Sequence, residues 1–231
     1  MSFLFTNIFL VLAVVEDDTV FDLFETSGIT RKTIGVKLFK GQDSDTPAYR
    51  FIRFDHLPSV SAASLQQLLL QIQNNEGFVF TATMRQDRTS RGTIISLEGP
   101  GERRQFEVVS DGRINSLDLV YWWADGSRNI ISFEDVDLSD SHWKNVTLHV
   151  HGETATLYVG CRLIDSFILD EPFYEHLSAA GGRMFVAKGS ARENHFRVSM
   201  FLTRTYGIAF TRYTLPPPQP PPSLLYIHHI A

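Results

Sequence analysis

Apolar positions along the chain change period once. From Ser64 to Gln73 they recur at Leu65, Leu68, Leu69 and Ile72, the spacing of one helix face. Gly77 follows as a stop and Ser61 or Ser64 can cap the start, so a helix is predicted near residues 61–75. From Gly77 onward the period is two. Phe78, Phe80, Ala82 and Met84 alternate with Val79, Thr81, Thr83 and Arg85. Further strands are predicted around Ile94–Leu97, Phe106–Val109, Leu117–Tyr121, Ile130–Phe133, Val146–Val150, Ala155–Leu163 and Arg183–Ala187. Turn signals such as Asp111-Gly112, Asp125-Gly126 and His151-Gly152 separate them. Short strands with such punctuation predict an all-β antiparallel sandwich, or jelly roll, with one short helix.

The two ends follow neither period. Phe3 to Val15 is an apolar run that stops at Glu16-Asp17-Asp18. It is too short to span a bilayer, and residues 1–15 read as a signal peptide; the alternative is a buried first strand. Residues 216–222 read PPPQPPP, which favours polyproline II, and the chain is expected to be disordered after about Thr214.

Composition narrows the chemistry. The chain has 231 residues, 43% hydrophobic and 20% charged, which excludes disorder throughout. Its formal net charge is −5, from 21 Lys+Arg and 26 Asp+Glu, so global charge does not point to nucleic acid. A single cysteine, Cys161, excludes a disulfide framework and a cysteine-rich zinc site. It shares parity with Leu157 and Val159, so a free thiol facing the core is predicted. No nucleophile elbow, phosphate loop or dinucleotide fingerprint is present, and neither an enzyme nor a cofactor is expected. His149 and His151 share a strand face, but a zinc site needs further ligands and both are expected to face solvent. The acidic groups Glu134, Asp135, Asp137 and Asp140, and Asp170, Glu171 and Glu175, lack the spacing of an EF-hand loop and read as solvated edges. Asn145-Val146-Thr147 is a glycosylation sequon, which fits a secreted chain.

The basic residues are more informative. Arg31, Lys32, Lys37, Lys40, Arg50 and Arg53 lie in a segment opposed by only Asp43 and Asp45. A second set is Arg85, Arg88 and Arg91. Arg85 has outward parity, and Arg88 and Arg91 are predicted in the following turn. If the two sets meet, they form a local cationic patch that attracts sulfated polyanions. The bland alternative is scattered, solvated charge.

Several segments carry a family resemblance: FDLFETSGITRKTIGVKLFKG, PAYRFIRFDHLP, QDRTSRGTIISLEGPG, QFEVVSDG, DSHWKNVTLHVHGET, CRLIDSFILDEPFYEHL and AKGSARENHFR. From about Val20 to Arg197 the chain resembles the N-terminal domain of thrombospondins. The resemblance implies a laminin-G-like, concanavalin-type β-sandwich that binds heparin and heparan-sulfate proteoglycans. It also implies calreticulin, the low-density-lipoprotein-receptor-related protein and integrins as partners, and a secreted, extracellular-matrix location. Lys37, Arg50 and Arg85 stand where the family's main heparin-contacting residues stand, with lysine at 37 where a paralogue has arginine. Arg88 and Arg91 match the neighbouring basic turn, and Lys32 and Lys40 match the lysines of the calreticulin-binding segment. Arg53 has no basic counterpart in that paralogue.

After Arg197 the pattern breaks. The family's second cysteine, which pairs with the one at position 161, has no counterpart here. The break reads as a truncated or mis-spliced gene model, with a sandwich over residues 16–197 and a divergent tail over 198–231. Family trimerisation and calcium binding are therefore not carried over, and a monomer is expected. Two other readings compete with heparan-sulfate binding. One is a lectin-like or glycan-hydrolysing sandwich acting on neutral glycans, which needs paired carboxylates in a groove. The other is a fragment that misfolds.

Overall fold

The computed structural model describes residues 20–41, 47–53, 56–88, 90–188, 198–201 and 207–209. Sixteen elements run in chain order. They are β1 (Phe21–Asp22), α1 (Leu23–Thr26), β2 (Val36–Lys40), β3 (Pro47–Phe51), α2 (Ala62–Asn74), β4 (Gly77–Gln86), β5 (Arg91–Glu98), β6 (Arg104–Asp111), β7 (Ser116–Trp122), β8 (Arg128–Phe133), β9 (Lys144–His151), β10 (Thr154–Val159), β11 (Arg162–Ile168), β12 (Arg183–Val186), β13 (Val198–Phe201) and β14 (Gly207–Ala209). Short 3-10 turns occupy Pro100–Glu102 and Phe173–His176.

The strands form two antiparallel sheets. The first has nine strands, in the order β11-β10-β9-β4-β13-β3-β2, with β14 pairing both β4 and β1. The second has five, in the order β12-β5-β6-β7-β8. Alternate residues of each sheet meet in a shared core. Phe78, Phe80, Ala82 and Met84 of β4 are buried, as are Leu117, Leu119 and Tyr121 of β7 and Val146, Leu148 and Val150 of β9. This is the antiparallel sandwich expected from the period of two, of the laminin-G-like kind that the family resemblance implies.

The helix predicted near 61–75 is α2. The Ser61 hydroxyl accepts the Ser64 N–H at 3.2 Å and caps it. Leu65, Leu68, Leu69 and Ile72 bury the predicted face, each contributing about 1.5–3 kcal/mol of transfer free energy. The one-turn helix α1 was not predicted. Its signal was local: the Asp22 carboxylate accepts the N–H groups of Phe24 and Glu25 at 2.8 and 3.0 Å.

Beyond Arg197, residues 198–201 and 207–209 join the first sheet. β13 inserts between β3 and β4, with Ser199 opposite both Arg50 and Arg85. β14 continues along the same edge of β4, with Gly207 opposite Thr81. Both strands fall within residues 198–231, which the sequence reading set apart from the sandwich as a divergent tail. Residues 1–15, expected to be a signal peptide, and the proline-rich residues 216–222 lie outside the described residues.

The predicted core position of Cys161 is also corrected. β10 ends at Val159, and Gly160-Cys161 make the two-residue hairpin turn to β11, at φ 58° and 62°. Two positive φ values in succession suit the twist of a tight hairpin. The thiol is exposed, and the alternation from Leu157 through Leu163 stops at the turn; Leu163 is exposed.

Candidate functional site

The site is a row of residues across the first sheet. Lys37 of β2 stands opposite Arg50 of β3, Arg50 opposite Ser199 of β13, and Ser199 opposite Arg85 of β4. Directly opposed residues project from the same face of a sheet. Val36, Phe51 and Met84, the neighbours of the three cations along the chain, are buried in the core. Pleat alternation therefore puts Lys37, Arg50 and Arg85 on the outer face. Three strand spacings separate Lys37 from Arg85, about 14 Å. Residues far apart in sequence thus form one cationic row.

Aromatic rings hold this row in place. The Arg85 guanidinium carbon lies 4.8 Å from the centre of the Phe39 ring and 5.4 Å from that of Trp143. Arg50 lies 5.7 Å from the same Phe39 ring. Such contacts organise guanidinium groups without neutralising them. Phe39 is one strand step from Lys37 on the same face, which explains an exposed phenylalanine at that position. Neither aromatic residue was singled out from sequence. The visible signal was Phe39 within KLFK and Trp143 within SHWKN, aromatics interleaved with cations.

The backbone entering β2 depends on Gly35. It adopts φ 87°, and a Cβ there would lie 2.2 Å from the Arg53 carbonyl oxygen. The Gly35 carbonyl accepts the N–H groups of Ile52 and Arg53 at 2.8 and 3.2 Å, which fixes the register that sets Lys37 against Arg50.

The remaining cations are placed differently. The row is not free of acids: Arg50 pairs with Asp87 at 3.0 Å, across half-exposed side chains. Arg88 is exposed in the turn after β4, as predicted. Arg91 is instead the first residue of β5, in the second sheet, and its Nε lies 3.0 Å from the buried Asp111 carboxylate. Arg113 engages the same carboxylate, donating from Nε to Oδ1 at 2.8 Å. These hydrogen bonds hold the Asp111 carboxyl below the usual range. Arg91 is thereby committed to a structural ion pair. Lys32 is exposed in the turn before β2, and Lys40 ends β2 opposite Pro47.

Asn145 of β9 is exposed, and its side-chain oxygen accepts the Thr83 hydroxyl at 2.7 Å. His149 and His151 stack at 6.1 Å and are half-buried rather than fully solvated. Burial, with His151 beside it, pushes the His149 pKa down. Among the described residues no group of three or more His, Cys, Asp or Glu is placed to hold a metal ion, and no helix is long and apolar enough to cross a membrane.

Comparison with known proteins follows the same line. No protein-family model matches the chain. Thrombospondin-2 of Gallus gallus is 62% identical over 183 residues, and that of Homo sapiens 59% over 183 residues, each match covering 79% of this chain. Thrombospondin-1 of Xenopus laevis is 38% identical over 189 residues, 78% of this chain. The chain spans only 15–16% of the length of these relatives. Among solved structures, the binding domain of Paraclostridial Mosquitocidal Protein 1 superposes with a TM-score of 0.52 at 13% identity, covering 78% of this chain and 43% of that one, a likeness of fold alone. Thrombospondins are secreted, non-enzymatic adhesive glycoproteins of the extracellular matrix. The chain belongs to the thrombospondin family, as a thrombospondin N-terminal domain of the matricellular, extracellular kind.

Proposed function

We propose that this domain binds heparin and heparan-sulfate chains through Lys37, Arg50 and Arg85, with Arg88 at the rim. The observation that carries the reading is the cross-strand row itself. It gathers cations from three strands onto one outer face of a protein whose net charge is −5. A chain of that charge repels a sulfated polymer unless its cations are collected locally. Guanidinium groups form forked hydrogen bonds to sulfate-like oxygens, whereas Lys37 contributes a point charge. Asp87 leaves Arg50 partly neutralised, so Arg85, held between two rings, is the anchor. Arg91 contributes through its ion pair with Asp111 rather than by contact.

Lys32, in the turn before β2, and Lys40, its last residue, are the residues through which calreticulin is proposed to dock. The low-density-lipoprotein-receptor-related protein and integrins are the other proposed surface partners. Asn145 is proposed to carry an N-linked glycan on the outer face of β9, which a glycosidase-dependent mass shift of the secreted chain tests. The binding reading is tested on a heparin column. The variant Lys37→Ala/Arg50→Ala/Arg85→Ala should elute at much lower salt than wild type, with its melting temperature within a few degrees of wild type because exposed side chains contribute little to folding. Co-elution of the two proteins would remove the row as the site.

A further inference from the structure

A second cationic cluster lies on the five-stranded sheet. Trp122 ends β7 opposite Arg128, which begins β8. Arg104, the first residue of β6, has its guanidinium carbon 5.5 Å from the Trp122 ring centre, and Arg128 has its own at 5.9 Å. This repeats the arrangement at Phe39, where one ring organises two arginines. Beside it opens a hollow of about 490 Å³, lined by Arg103, Arg104, Trp122, Trp123 and Asp125 among others.

The charge state of this cluster distinguishes it. Arg50, Arg91, Arg113 and Arg183 each pair with a carboxylate. Among the described residues no carboxylate forms an ion pair with Arg103, Arg104 or Arg128. Asp125 also lines the hollow; its carboxylate accepts the Ser127 N–H at 2.8 Å within its own turn and pairs with none of the three arginines. Three arginines beside an open hollow, two of them ring-held and, among the described residues, none in an ion pair, can receive an anion; Glu98, opposite Arg104, pairs with Arg183 instead.

The cluster is distinct from the row on the first sheet. β5 starts at Arg91, just after the turn that leaves the Arg85 end of β4, and ends at Glu98, which stands opposite Arg104. The length of β5, about 25 Å, therefore separates the two ends. A short oligosaccharide held at one end does not reach the other.

We propose that Arg103, Arg104 and Arg128 form a second binding site for a sulfated glycan, so that one domain holds two separate chains. The site shares only its ligand class with the row of Lys37, Arg50 and Arg85, and stands or falls separately.

The test uses a size-defined heparin tetrasaccharide, too short to span both sites, and an arginine-modifying glyoxal, with the modified positions read by mass spectrometry on the wild-type chain. Protection of Arg104 and Arg128 together with Arg85 is the expected result, and the desulfated oligosaccharide should protect none of them. Protection of Arg85 alone overturns the second site and leaves the row standing. Protection of Arg104 and Arg128 alone does the reverse, and protection of neither overturns both. Calorimetric titration adds a second reading: two tetrasaccharides bind wild type, and one binds Arg104→Gln/Arg128→Gln. An unchanged stoichiometry of two in that variant would also overturn the proposal.

Discussion

Arg85 of β4 lays its guanidinium carbon 4.8 Å from the ring centre of Phe39 on β2, although β13 and β3 run between those strands. The contact reaches across the sheet and ties the two ends of the cationic row together. An exposed cation–π contact of this kind contributes about 0.5–1 kcal/mol. Its value for binding is the conformational freedom that Arg85 has already lost before a ligand arrives.

Replacing Phe39 tests that role. Phe39→Ala leaves every charge in place, so a purely electrostatic site would bind heparin as before. The arrangement here predicts elution at lower salt than wild type but at higher salt than the triple-alanine variant. Because Phe39 is exposed, the melting temperature should change little. Wild-type elution by Phe39→Ala would show that the ring does not position the arginines.

Cys161 offers a test of the hairpin. A thiol at a tight turn is open to reagent, so native Cys161 should label nearly as fast as a cysteine in an unfolded peptide. Labelling that waits for denaturant would contradict the turn. Its φ of 62° also carries left-handed strain, of about 1 kcal/mol for an ordinary side chain. Asparagine tolerates that region, and Cys161→Asn should raise the melting temperature slightly.

Much of the fold was legible in the sequence because burial enforces periodicity. Leu65 through Ile72 announced α2, and Phe78 through Met84 announced the inward face of β4, since each has one face in the core. Cys161 was misplaced because the apolar spacing of Leu157, Val159, Cys161 and Leu163 runs on unbroken in the sequence across a two-residue turn at which the alternation of burial ends, and Gly-Cys is a weaker turn signal than Asn-Gly. β13 and β14 were missed because the segment after Arg197 was read as a divergent tail, while pairing in a sheet is satisfied by backbone groups of many sequences. Charge parity placed Arg85 outward. No local pattern revealed that Lys37, Arg50 and Arg85 share one row, because that row is created by long-range strand order. The ion pairs Arg50–Asp87 and Arg91–Asp111 were hidden for the same reason.

Asp111 should govern acid stability at the junction of β6 with its following turn. Its carboxyl pKa is lowered chiefly by the Arg113 side-chain hydrogen bonds. A depressed carboxyl pKa stabilises the fold above the unfolded-state value, and that stabilisation is lost as pH falls through the folded-state value. Asp111→Asn should therefore cost about 1–3 kcal/mol at neutral pH. The gap to wild type should close as pH falls below the carboxylate range. Denaturant titrations across pH check this, and a pH-independent gap would contradict it.

The salt dependence of heparin affinity tests the central claim most directly, because it counts displaced counterions rather than measuring strength alone. Each cation that meets a sulfate adds close to one to the slope of log affinity against log salt, by analogy with phosphate contacts. The variant Lys37→Ala/Arg50→Ala/Arg85→Ala, folded as judged by its melting temperature, should have a slope shallower than wild type by about two to three. An unchanged slope in the folded variant would mean that these three residues do not contact the polymer, and the row would not be the site.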